Sequence, residues 1–202
     1  DLRAGLAADK RTTAILNLPV SSDDRPRDRA VIRPESQASG MPVYERETVV
    51  DAPFADVWDF HSRVTGLEDL TPDWMHLRVE SIVGPDGAQF DDRQAVLVEG
   101  SKIHSTVRPL GVAPAQRWTS VIVDREESEG RGLFRDEMAE GPFPHWLHTH
   151  TIEAVDGGTR VHDHVEYELP LGALGRAVAP LGFIGFAPMF RHRHRETKRL
   201  LE

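Results

Sequence analysis

The chain has 202 residues, a length that suits one domain with a substantial core rather than two. Its formal charge of −9, from 33 acidic residues against 24 lysines and arginines, argues against a duplex nucleic-acid partner, which needs a clustered basic face. Cysteine is absent, which excludes disulfides, thiolate metal sites and thiol catalysis, and no run approaches the roughly twenty apolar residues of a membrane span. Only Lys10, Lys102 and Lys198 are lysines; an acidic, arginine-rich surface suits a very salty cytoplasm, although a GC-rich genome also favours arginine. The N-terminus lacks the apolar core of a signal peptide, and a cytoplasmic protein without stable membrane insertion is expected.

Residues 1–40 differ from the rest. Arginine and aspartate crowd the stretch SSDDRPRDRA, the one apolar cluster is AILNLPV, and a poorly ordered extension is expected. The chain begins at Asp1, and Met41, just ahead of the first convincing strand, would be a natural start; the domain is therefore placed at residues 41–202.

Val43 to Asp51 alternates as a strand should, and Ala52-Pro53 opens a helix with proline at the first helical position, where its missing N–H costs nothing. Phe54, Val57, Trp58 and Phe60 form the apolar face of that helix. A second short helix is expected over Gly66 to Leu70, ended by Thr71-Pro72. Strands follow over Leu77 to Val83, Gln94 to Leu110, Arg117 to Arg125 and Gly132 to Ala139, separated by turn sequences such as Gly84-Pro85-Asp86-Gly87.

Gly141 to Pro170 is the most informative stretch, a hairpin whose turn is Asp156-Gly157 or Gly157-Gly158. Side-chain alternation puts Trp146, His148, His150, Ile152 and Ala154 on one face of its first strand. On the second strand Val161, Asp163, Val165, Tyr167 and Leu169 share a face, with His162 and His164 turned outward among glutamates. His148, His150 and Asp163 thus fall inside; with the first turn His150 sits directly across from Asp163, with the second it is diagonal. Leu171 to Glu202 reads as a long helix, kinked or broken at Pro180 and Pro188, with Leu181 and Ile184 on its apolar face and the run Arg191-His192-Arg193-His194-Arg195 near its end.

This order, together with Ala52-Pro53, Val57-Trp58-Asp59-Phe60, Leu70-Thr71-Pro72-Asp73-Trp74, Gly141-Pro142-Phe143 with Trp146, His148 and His150, and Val165 to Gly172, resembles the SRPBCC superfamily. That superfamily includes START lipid-transfer domains, polyketide cyclase/dehydrases and birch-pollen-allergen-like proteins. The chain looks most like the subgroup found beside an epimerase-like protein often labelled a cell-division inhibitor, from which it departs by a charged stretch over Glu126-Glu127-Ser128-Glu129 and Arg131 to Met138. The resemblance implies an α+β helix-grip fold, a curved antiparallel sheet wrapped around a long C-terminal helix, with two short helices after the first strand. It also implies a cavity between sheet and helix for a small hydrophobic or amphipathic molecule, and leaves a cyclase/dehydrase enzyme or an accessory partner of an epimerase-like or redox protein as alternatives.

The residues expected around such a ligand are Trp58, Trp74, Trp146, His148, Ile152, Val165, Tyr167, Leu181 and Ile184. Trp58, Trp74, Trp118 and Trp146 can equally be core, since indole rings usually are. His150 oriented by Asp163 is the catalytic candidate, because a carboxylate-held imidazole can move protons near neutral pH. The alternative, favoured by the need to satisfy any buried polar group, is a structural pair that pins the hairpin register. Two histidines at i, i+2 facing a carboxylate can also supply metal ligands, but the helical and loop spacings of known zinc sites are missing, and neither metal nor other cofactor is expected. The basic run near the C-terminus reads as favourable charge at a helix end rather than a lipid-headgroup site. No serine nucleophile elbow, phosphate-binding glycine loop or nucleotide fingerprint is present, and the sequence does not name a protein partner beyond the epimerase-like or redox neighbour kept as an alternative.

Overall fold

The computed structural model describes residues 29–33, 41–170, 172 and 183–202. A nine-stranded antiparallel sheet runs in the order β1-β2-β9-β8-β7-β6-β5-β3-β4. The strands are β1 (Arg29–Arg33), β2 (Val43–Val50), β3 (Arg78–Val83), β4 (Gln89–Phe90), β5 (Lys102–Val107), β6 (Gln116–Ser128), β7 (Arg131–Glu140), β8 (His145–Val155) and β9 (Gly158–Glu168). Two short helices, α1 (Phe54–His61) and α2 (Val64–Leu70), follow β2, and the long helix α3 (Phe183–Leu201) closes the chain and packs against β2 and α2. This is the helix-grip arrangement expected. Pro188 lies within α3, and the helix continues through it. Pro180 and Leu181 fall outside the described residues, as do 1–28 and 34–40 of the expected extension; residues 29–33 of that extension form β1, paired with β2 in the register Val31↔Glu45.

The hairpin turns at Asp156-Gly157, so Val155 faces Gly158 and His150 lies directly across from Asp163. Gly157 has φ 81°, a value that a side chain would strain. Alternate residues of β8 and β9 are buried as the period of two requires: Trp146, His148, His150 and Ile152 on one strand, Val161, Asp163, Val165 and Tyr167 on the other.

The long strand expected over Gln94 to Leu110 is only its second half. Asp92 accepts a hydrogen bond from the Gln94 N–H at 2.9 Å, and Gly100 takes φ 86°. Between them the chain folds back on the α1–α2 junction, where the Leu97 N–H donates to the Ser62 carbonyl at 2.9 Å. Conversely β6 and β7 extend beyond the expected limits, and the charged stretch around Glu126 to Glu129 is their shared hairpin end. Register shifts between Thr119 and Ser120 and between Ile122 and Asp124 mark bulges that bend this pair.

The concave face carries two apolar clusters. One, on the α1 side, contains Val57, Trp58, Ile103, Ile122, Phe134 and Ile152; the other, under α3, contains Tyr44, Trp146, Val165, Tyr167, Phe186 and Phe190. His148, His150 and Asp163 lie on the strands between them. Within the first cluster Gly132 lets the Trp58 ring rest on the sheet, since a Cβ there would meet the ring at 2.6 Å. Gly132→Ala is therefore expected to lose about 1–3 kcal/mol of stability in urea unfolding, because a rigid indole cannot yield as a flexible side chain would.

Candidate functional site

Cross-strand pairing lines up two rows on the concave face. Phe134, His150, Asp163 and Arg46 form one across β7, β8, β9 and β2; Asp136, His148, Val165 and Tyr44 form the next. Asp163, 2% exposed, is the hub. Its Oδ1 lies 3.0 Å from His148 Nε2 and 2.8 Å from His150 Nδ1, the latter contact too oblique for an aligned hydrogen bond. Its Oδ2 accepts a hydrogen bond from His194 Nε2 of α3 at 2.6 Å.

His194 belongs to the basic run that the sequence suggested was favourable charge at a helix end. The helix turns Arg191 and Arg195 to solvent while His194 is buried and Arg193 reaches the cavity. His162 and His164 do face outward, but Glu45 of β2 lies beside them, 2.9 Å from His164 Nδ1 and 3.9 Å from His162 Nε2.

Asp136 faces the two imidazoles from the other side. Its Oδ2 is 3.5 Å from His148 Nδ1 and 3.8 Å from His150 Nε2. Ser120 lies beside the Asp136 carboxylate and favours its charged form, and Trp118 Nε1 donates to Ser120 Oγ at 3.1 Å. The imidazoles also join the two apolar clusters: Phe134 stacks on His150 with centroids 4.2 Å apart, His150 and His148 are 3.8 Å apart, and Phe190 meets His148 edge-on at 5.2 Å.

The two carboxylates differ electrostatically. Burial pushes the Asp163 carboxyl up, but the contacts from His148, His150 and His194 outweigh it and hold the group well below the usual carboxylate range. Asp136 is raised, because burial exceeds the opposing influence of His148 and Arg193. Burial, followed by the neighbouring His148, pulls His150 well below 6.5 and leaves the ring neutral at pH 7. Burial also lowers Arg193, against the attraction of Asp163 and Asp136.

A cavity of about 100 Å³ opens beside this group. Trp118, Trp146, Val107, Met189 and Phe190 form its apolar wall, and Ser120, Asp136, His148, His150 and Arg193 its polar wall. A smaller space of about 60 Å³ adjoins it, bounded by His61 and Leu70 and again by Asp136, His150 and Arg193.

Of the residues expected around a ligand, Trp146 and His148 line the cavity, as does His150, with Asp163 directly behind them. Trp58 packs instead between Phe54 and Phe134 with Arg125 over its ring at 4.3 Å, and Ile152 is core in the same cluster. Val165 and Tyr167 belong to the aromatic cluster under α3. Trp74 is 36% exposed in the short 3-10 turn Asp73–Met75. Leu181 and the side chain of Ile184 lie outside the described residues. Asp136, Arg193 and His194 were not foreseen.

Residues 50–183 match the family model described as polyketide cyclase / dehydrase and lipid transport. Among solved structures, protein Ms6760 from Mycobacterium smegmatis is similar with a TM-score of 0.56 at 14% identity, covering 85% of this chain and 98% of its own. Protein TTHA0849 from Thermus thermophilus gives 0.53 at 20% identity, covering 78% and 95%. Norcoclaurine synthase from Thalictrum flavum, in complex with dopamine and hydroxybenzaldehyde, gives 0.52 at 18%, covering 85% and 88%. No curated protein matches the sequence. Among the described residues no helix is long and apolar enough to cross a membrane.

The buried histidines make stability depend on pH in a definite direction. His61, whose Nδ1 donates to the Val57 carbonyl at 2.8 Å, is lowered to about 4 mainly by burial. Its folded pKa lies below the unfolded value of about 6.5, so its contribution is complete above pH 6.5 and is lost as pH falls toward 4. His150 acts in the same direction. Chemical denaturation across pH 7 to 4 should show a steady loss of stability, and His61→Leu should remove up to about 3 kcal/mol of that loss.

Proposed function

We propose that this chain, which belongs to the polyketide cyclase / dehydrase and lipid transport family, binds or carries a small hydrophobic or amphipathic molecule in the cavity between sheet and α3. The observation that carries this reading is the two-sided lining: indole, phenyl and thioether groups on one wall, two imidazoles, a carboxylate and a guanidinium on the other. Such a wall suits a molecule with an apolar body and one oxygen-bearing end.

The cavity's size favours a compact occupant. An apolar cavity of about 150 Å³ accommodates benzene, and the space here is of that order. A single ring or a short chain fits this reading better than an extended lipid. Small aromatic ligands of a neighbour with the same fold, dopamine and hydroxybenzaldehyde in norcoclaurine synthase, are of the same scale.

Because Trp118 and Trp146 line the space, occupancy should quench intrinsic fluorescence. Titration with hydroxybenzaldehyde and other single-ring phenols is expected to give saturable quenching, and native mass spectrometry of the freshly purified chain should find a small co-purifying molecule. An empty protein that also ignores the whole panel would sink this reading.

A second reading, a cyclase/dehydrase-type enzyme, is favoured by one observation: His150 lines the cavity with Asp163 Oδ1 at 2.8 Å from its Nδ1, the placement an acid–base group needs. In that case His150→Gln abolishes turnover of a bound substrate while quenching titrations still report binding. A variant that only melts earlier would assign the pair to structure alone.

A further inference from the structure

The gap between Asp136 and the two imidazoles is too wide for hydrogen bonding and the right size for something else. The distances of 3.5 and 3.8 Å from Asp136 Oδ2 to His148 Nδ1 and His150 Nε2 exceed those of useful hydrogen bonds. All three donor atoms nevertheless lie within 4.8 Å of one another. In a tetrahedral site with bonds of about 2.0–2.2 Å, the ligand atoms stand roughly 3.3–3.6 Å apart. One ion can therefore sit among the three with little movement of any.

The surroundings are those of a metal site as well. A ligating histidine is usually held through its other nitrogen by a carboxylate, which fixes the tautomer and turns the free lone pair toward the ion. Here Asp163 is hydrogen-bonded to His148 Nε2 and stands 2.8 Å from His150 Nδ1 at an oblique angle, leaving His148 Nδ1 and His150 Nε2 on the side of Asp136. His194 anchors the other oxygen of Asp163 from α3, and Ser120 lies beside Asp136. Five elements, β6 to β9 and α3, thus converge on a gap that no described side chain fills. The cavity leaves the fourth position open.

We infer that Asp136, His148 and His150 form a mononuclear site for a divalent transition metal of the Zn²⁺ type, with its open position facing the cavity. Two imidazoles and one carboxylate suit Zn²⁺ and its first-row neighbours; the imidazoles disfavour Ca²⁺ and Mg²⁺, and the lack of sulfur ligands disfavours Cu⁺. The carboxylate seen from sequence, Asp163, is the orienting group and Asp136 the ligand. Arg193 occupies the polar wall of the cavity as a counter-charge to both carboxylates. The site stands independently of which organic molecule the cavity takes, but it excludes a general-base role for His150, because it uses the same Nε2.

The test uses the full chain, stripped with a chelator and titrated with Co²⁺ as a spectroscopic stand-in for Zn²⁺. One equivalent should bind and develop the visible absorption of a four- or five-coordinate ion, and Zn²⁺ should displace it. Asp136→Asn and His148→Gln should each abolish the absorption at metal concentrations that saturate the parent chain. Asp163→Asn, checked for folding by circular dichroism, should weaken binding by roughly 10–100-fold without removing it. His162→Gln and His164→Gln, on the outer face beside Glu45, should leave it unchanged. A folded parent chain that gives no visible band, a band that survives Asp136→Asn, or a band that disappears with the outer-face variants would overturn the assignment.

Discussion

A single buried carboxylate, Asp163, sets the terms for the rest of the molecule. An ionised carboxyl withdrawn from water costs several kcal/mol unless its oxygens are occupied. Asp163 meets that requirement with three imidazoles, two from the adjoining strand and one from α3. The requirement cannot be met until β8 is in register with β9 and the helix lies across the sheet. Long-range order is therefore written into one side chain, and the helix position follows from it as much as from the packing of Phe186 and Phe190.

The second carboxylate is of a different kind. Asp136 shares the histidines with Asp163 but stands back from them, with Ser120 beside it. One acid is depressed by its imidazole contacts, the other raised by burial. Groups pushed apart in this way tend to divide their work, the satisfied one holding geometry and the other left available for chemistry. The cavity opens on the side of Asp136, with Asp163 behind the imidazoles.

The parts of this arrangement legible in the sequence were those governed by a period of two and a turn. Alternation along β8 and β9 placed His148, His150 and Asp163 on the inner face, and the choice of turn left two registers, of which Asp156-Gly157 is the one adopted. The partners from outside the hairpin were hidden for distinct reasons. His194 sits in a run of five basic residues whose composition suggests solvent, and only the rotation of the helix singles it out. Asp136 lies between Arg135 and Glu137 in a strand whose charges mask its alternation, next to a bulge that shifts the pairing with β6. The Gln94 to Leu110 stretch misled in the opposite sense, since its alternation runs on through a segment that an aspartate turn and Gly100 fold away from the sheet. Indole rings were uninformative about placement: Trp146 lines the cavity, Trp58 fills the core and Trp74 is half exposed.

The division of the concave face into two apolar clusters bears on how the molecule comes apart. Two oily patches with separate memberships would ordinarily be free to melt in separate steps. Here the imidazoles of His148 and His150 touch both, His150 stacking on Phe134 at one side and His148 meeting Phe190 edge-on at the other, while both belong to the Asp163 network. Loosening either patch disturbs the rings, and disturbing the rings strands a buried charge. The polar belt thus acts as a cooperativity device, making the loss of one half of the core the loss of the whole and turning two weak transitions into one sharp one.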